Sequence, residues 1–90
     1  MQRLERTFTI VNSLGMHARP AAMVVQTANR FKSEVLFEKD GQQINAKSIM
    51  GVLTLAAGKG ATVLVVCEGP DAAEALAALA KVFETGFGER

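Results

Sequence analysis

Between residues 12 and 18 the spacing of apolar residues changes period, and that change restricts the chain to folds in which a strand leads directly into a helix. From residue 4 to 12 the pattern alternates. Leu4, Phe8 and Ile10 fall on one side of an extended chain and Glu5, Thr7 and Thr9 on the other, as in a half-buried strand. From 18 to 31, Ala21, Val24, Val25, Ala28 and Phe31 recur three or four apart and share one helical face. Gly15 separates the two regimes. Pro20 is compatible with the helix, because a first-turn residue has no intrahelical N–H bond to lose.

The alternation of periods continues. Residues 34–38 are strand-like, and Asp40-Gly41 signals a tight hairpin turn into a third strand at 42–45. A short helix is expected over 48–57, starting at the capping residue Ser48 and stopping near Gly58 and Gly60. A strand follows at 61–67. Gly69-Pro70-Asp71 then opens a last helix in which Asp71 can cap, Glu74 follows three residues later, and Leu76, Leu79 and Phe83 form the buried stripe up to Gly86. The order βαββαβα predicts an α+β fold, an open-faced β-sandwich with a four-stranded antiparallel sheet and three helices on one face. It occupies one domain over residues 1–90, since a second core would need roughly 50 more residues.

Composition excludes several functions. The chain has neither the apolar run of a signal peptide nor the roughly 20 apolar residues that span a bilayer, so a cytoplasmic protein without membrane insertion is expected. Cys67 is the only cysteine, which rules out an intrachain disulfide and a cysteine metal cluster; Val63 and Val65 share its face, so its thiol should be buried and inert. A formal net charge of +1 and the lack of Trp and Tyr argue against nucleic acid as a partner. Lys59 lies between two glycines without the spacing of a phosphate loop and reads as a turn.

The chemistry concentrates in Gly15-Met16-His17-Ala18-Arg19-Pro20. His17 takes the cap position of the first helix, beside backbone amides that have no intrahelical partner; with the helix dipole they form a site for an anion. Arg19 adds a charged fork suited to phosphate oxygens. Gly15 permits a sharp bend ahead of the site, and Pro20 fixes the first turn behind Ala18. A single His with no H-x-x-x-H or carboxylate cluster leaves no metal site, and no cofactor is implied. On the residues alone, two readings stand: a phosphoryl acceptor, or a non-catalytic α+β module that binds a ligand or partner helix while His17 merely caps.

The segments NSLGMHARPAAMVVQTANRF and NAKSIMGVLTLAAGKG resemble the HPr family, the histidine-containing phosphocarriers of the bacterial phosphotransferase system, and the likeness extends over essentially the whole chain. The resemblance implies that His17 is phosphorylated through Nδ1, that Arg19 assists, and that Gly15, Ala18 and Pro20 form the phosphate-stabilising loop and helix start. It implies a regulatory phosphorylation site at Ser48, served by a serine kinase or phosphorylase, and a docking patch made of Ile49, Met50 and Leu53. The partners implied are an enzyme I-type phosphodonor and a IIA-type acceptor, met by a monomer. The segment KSIMGVL is similar to sugar-branch members, whereas Glu84-Thr85-Gly86-Phe87-Gly88 is similar to the nitrogen-branch carriers, which regulate without transporting sugar.

Overall fold

The computed structural model describes residues 2–89, so the two end residues of the expected 1–90 domain lie outside the described residues. Its elements are β1 (Gln2–Thr9), α1 (Ala18–Ala28), β2 (Glu34–Lys39), β3 (Gln42–Asn45), α2 (Ile49–Thr54), β4 (Thr62–Gly69) and α3 (Ala72–Glu84), followed by a 3-10 turn at Gly86–Gly88. The strands form one antiparallel sheet in the order β1-β4-β2-β3. β4 is central and carries the most apolar strand, with Val63, Val65, Val66 and Cys67 all buried. Val35 and Phe37 from β2 join it beneath the helices.

The helices fit closely because small side chains face the sheet. α1 buries Pro20, Ala21, Val24, Thr27 and Ala28, and α3 buries Ala72, Ala75, Leu79, Ala80 and Phe83. Leu76, expected in the buried stripe, is only partly covered, and Ala75 beside it is buried. Phe83 centres an aromatic cluster: it stacks on Phe8 at 4.7 Å between centroids, tilts against Phe37 at 5.7 Å and meets Phe87 edge-on at 5.2 Å. Such pairs contribute roughly 0.5–1.5 kcal/mol each beyond their buried area.

Every expected element is present, β3 with the expected ends and the others with ends shifted. β1 stops at Thr9, yet Ile10 prolongs the pairing by donating to the Ala61 carbonyl at 2.9 Å and accepting from the Gly60 amide at 2.8 Å. α1 ends before Phe31, where the Arg30 and Phe31 amides turn to the carbonyls three residues back, Thr27 and Ala28, at 3.2 Å each, and the Asn29 side chain donates to Val25 O at 2.9 Å and Lys47 O at 3.2 Å. Phe31 still packs on the core from the loop that follows. The hairpin forms as expected, with Asp40 and Gly41 both at positive φ (51° and 81°), the geometry of a type I′ turn. Cys67 is fully buried and its thiol is pushed up to about 11 by burial, so it is inert at neutral pH.

The reading of Asp71 as a side-chain cap needs correction. Asp71 stands at the N-cap of α3 but makes no capping bond to it. Its carboxylate instead accepts from the Ser33 hydroxyl at 2.6 Å, the Ser33 amide at 2.9 Å and the Lys32 amide at 3.0 Å, and the Asp71 amide donates back to Ser33 Oγ at 3.1 Å. The loop between α1 and β2 offers donors closer than the helix does. These bonds, the Ser33 hydroxyl foremost, hold the Asp71 carboxyl down to about 2 from its ordinary 3.8. A folded value below the unfolded one stabilises the fold fully above 3.8, and that stabilisation is lost as the pH falls toward about 2. Asp71→Asn should therefore flatten the acid limb of a stability profile in that window, measured by urea titration at a series of pH values.

Candidate functional site

The site is built by a loop pressed against another loop. Gly15 has φ 67°, and a Cβ placed there would lie 2.5 Å from the Ala57 carbonyl oxygen and 2.8 Å from Gly58 Cα, so only glycine fits. Beside it the Met16 amide donates to the Ala57 carbonyl at 2.8 Å, and the Met16 side chain is buried in the core. Asn12 closes the preceding turn: its carbonyl accepts from the Gly15 amide at 3.2 Å, and its Nδ2 donates to the Gly15 carbonyl at 2.8 Å. With Met16 and Pro20 both buried, His17 is held at the start of α1.

His17 is the N-cap residue, with extended backbone, and its carbonyl accepts the first helical bond from Ala21 at 3.0 Å. Pro20 has no amide to offer, and the Ala18 and Arg19 amides donate to no other described residue. These two N–H groups at the positive end of the helix dipole are unmatched donors of the kind that hold an anion. The side chain of His17 is 36% exposed and makes no capping bond to the helix. Its Nε2 meets the Glu89 carboxylate at 2.8 Å and 3.0 Å, while Nδ1 has no hydrogen-bond partner among the described residues.

Glu89 was invisible to the sequence reading, and so was Asn12. Asn12 is 2% exposed and donates from Nδ2 to Glu89 Oε1 at 2.9 Å, while its own Oδ1 has no partner among the described residues. The hydrogen bond from His17, then that from Asn12 and the charges of His17 and Arg19, hold the Glu89 carboxyl below the usual carboxylate range against a smaller opposing effect of desolvation. Arg19 and Glu89 line an open cleft of about 330 Å³ together with Ser13, Leu14 and Gly88. Arg19 is exposed and makes no ion pair with another described residue, which leaves its guanidinium available.

The second group of expected residues lies on α2. Ser48 caps this helix by accepting from the Gly51 amide at 3.2 Å, and is itself exposed. Ile49 and Met50 are exposed at 41% and 67%, Leu53 is partly buried against the core, and Val52 and Leu55 fill the interior. Leu14, which the sequence did not single out, is the most exposed large apolar side chain among the described residues, at 73%. Lys59 occupies an exposed turn closed by the Ala61 amide on Gly58 O at 3.0 Å. Among the described residues, no helix is long and apolar enough to cross a membrane.

An open-faced sandwich that offers one accessible imidazole at a helix start, beside unmatched amides and a free guanidinium, defines a small carrier domain for an anionic group. Residues 4–85 match the PTS-HPr family, described as the PTS HPr component phosphorylation site. The chain is 46% identical to the phosphocarrier protein HPr of Treponema pallidum, over 93% of this chain and 96% of that one. A crystal structure of HPr from Thermoanaerobacter tengcongensis superposes with a TM-score of 0.93 at 47% identity, covering 97% of this chain and 98% of the other. A dimer of HPr from that organism matches with a TM-score of 0.78 at 49% identity, covering 89% and 92%. The chain belongs to the HPr family, and it is a phosphocarrier of the phosphotransferase system.

Because Gly15 both adopts a left-handed backbone and touches Ala57 and Gly58, Gly15→Ala should lower stability by about 2 kcal/mol. Urea unfolding monitored by circular dichroism measures the loss, and an unchanged midpoint would show that the two loops are not locked together.

Proposed function

We propose that His17 accepts a phosphoryl group on Nδ1 from an enzyme I-type donor and passes it to a IIA-type acceptor. The observation that carries this reading is the free Nδ1 of an accessible ring, beside the unmatched amides of Ala18 and Arg19 and the unpaired Arg19 side chain. In the forward step the Nδ1 lone pair forms the bond to phosphorus, and the donor's ring nitrogen leaves with the electron pair. In the onward step Nδ1 is the leaving atom. Charge is gathered by the helix amides and Arg19, and positioning supplies most of the rate in such transfers. Gly15 and Pro20 keep that geometry in place.

Ser48 serves as a regulatory phosphorylation site: its hydroxyl is exposed at a helix start, and a phosphate there would add nearly two negative charges. Ile49, Met50 and Leu53 form the docking patch, with Met50 the most accessible and adaptable of the three. The carrier is read as acting as a single copy in the cytoplasm. The segment around Ser48 supports a place in the sugar branch.

Incubation with phosphoenolpyruvate and an enzyme I should add one acid-labile phosphoryl group, detected by mass, and His17→Ala should abolish it. A binding module would take up none. In the same assay Ser48→Asp and Met50→Asp should each slow uptake severalfold while the circular dichroism spectrum is retained; unchanged rates would remove Ser48 and the patch from the mechanism.

A further inference from the structure

We propose that Glu89 is a positioning residue for phosphoryl transfer, which keeps the ring proton of His17 on Nε2 and offsets the positive charge that the ring gains as Nδ1 bonds to phosphorus. The proposal rests on His17 being the phosphoryl acceptor, and goes beyond it by assigning a role to a residue of the C-terminal turn.

An ionised carboxylate can only accept hydrogen bonds, so the nitrogen that meets Glu89 at 2.8 Å and 3.0 Å carries the proton. In the neutral ring the lone pair then resides on Nδ1. When that pair forms the bond to phosphorus, Nε2 keeps its proton and the ring becomes a cation, while the donor's nitrogen departs with the electrons of the broken bond. The new positive charge is shared with Nε2, in direct contact with Glu89. On transfer to the acceptor the electron pair returns to Nδ1, and Glu89 remains ionised throughout. A carboxylate that orients an imidazole and stabilises its cation plays the same part in hydrolytic triads.

The delivery of Glu89 is built into the fold. Gly86 turns the chain at φ 61° after α3, and Phe87 adopts φ 57°, a left-handed conformation that a bulky side chain rarely takes. Burial secures it, since Phe87 is 1% exposed and packs edge-on against Phe83. Two residues later the carboxylate reaches both His17 and the buried Nδ2 of Asn12, whose other contact is the Gly15 carbonyl. Asn12 thus links the carboxylate to the loop that carries the histidine. The depressed Glu89 carboxyl agrees with an acceptor that stays charged.

Two measurements on the full-length protein test the proposal. In nitrogen-15 spectra of the unphosphorylated protein, the Nε2 proton should give a downfield, slowly exchanging signal, lost in Glu89→Ala and retained by Glu89→Asp if the shorter carboxylate still reaches. In single-turnover transfer from phosphorylated enzyme I, Glu89→Ala should lower the maximal rate at least about tenfold and leave the half-saturating donor concentration unchanged, with Glu89→Gln between it and the wild type. An unchanged ring signal in Glu89→Ala overturns the proposal, and so does an unchanged maximal rate once the signal is lost. Wild-type protein that takes up no phosphoryl group would overturn the carrier reading instead, and the ring signal would still report whether Glu89 holds the proton.

Discussion

Gly15 lies against the backbone of Ala57 and Gly58 with no room for a side chain, and the adjacent Met16 amide is bonded to the Ala57 carbonyl. Through this contact the loop after β1 is joined to the loop before β4. Met16 on one side of His17 and Pro20 on the other are then drawn into the core, and the imidazole is left at the surface by default. The imidazole needs no pocket of its own. Its orientation follows from what its neighbours bury, so the accuracy of the site is the accuracy of the core beneath it.

The electrostatics of the helix start follow from the same arrangement. A helix leaves its first amides unmatched, and a proline in the third position reduces the available donors to those of Ala18 and Arg19. Arg19 adds a positive charge from an exposed position. The carboxylate of Glu89 meets the ring at Nε2 and lines one cleft with Arg19. The two ring nitrogens therefore differ: Nε2 meets a carboxylate, and Nδ1 has no hydrogen-bond partner among the described residues.

Local patterning made most of the fold legible. The shift in period around Gly15, the Asp40-Gly41 turn and the Ser48 cap all depend on residues a few positions apart, and each is where the pattern placed it. Element ends were less legible because tertiary partners act there: the Asn29 side chain at the end of α1 reaches Lys47, and Asp71 turns from its own helix to Ser33. The histidine and arginine of the site stood out through local spacing. Glu89 did not, because it meets His17 across 72 residues of sequence, and nothing near the end of the chain marks it as more than a solvated charge. Gly86 was readable as a helix stop, but the return of Phe87 to the core, which directs Glu89, depends on a gap beside Phe83 that exists only in the folded state.

The position of β1 at the sheet edge has a consequence for biosynthesis. Among the described residues its only strand partner is β4, in a register that pairs Gln2 with Gly69 and Thr9 with Thr62. During translation the first strand leaves the ribosome long before that partner exists, and its Leu4 and Phe8 must wait without a ladder. The nascent chain can gather α1, β2 and β3 meanwhile, but the sheet closes only when β4 enters between β2 and β1. Until then the segment bearing His17 has no second loop to rest against, and a partially synthesised chain would carry the histidine without the geometry that makes it useful.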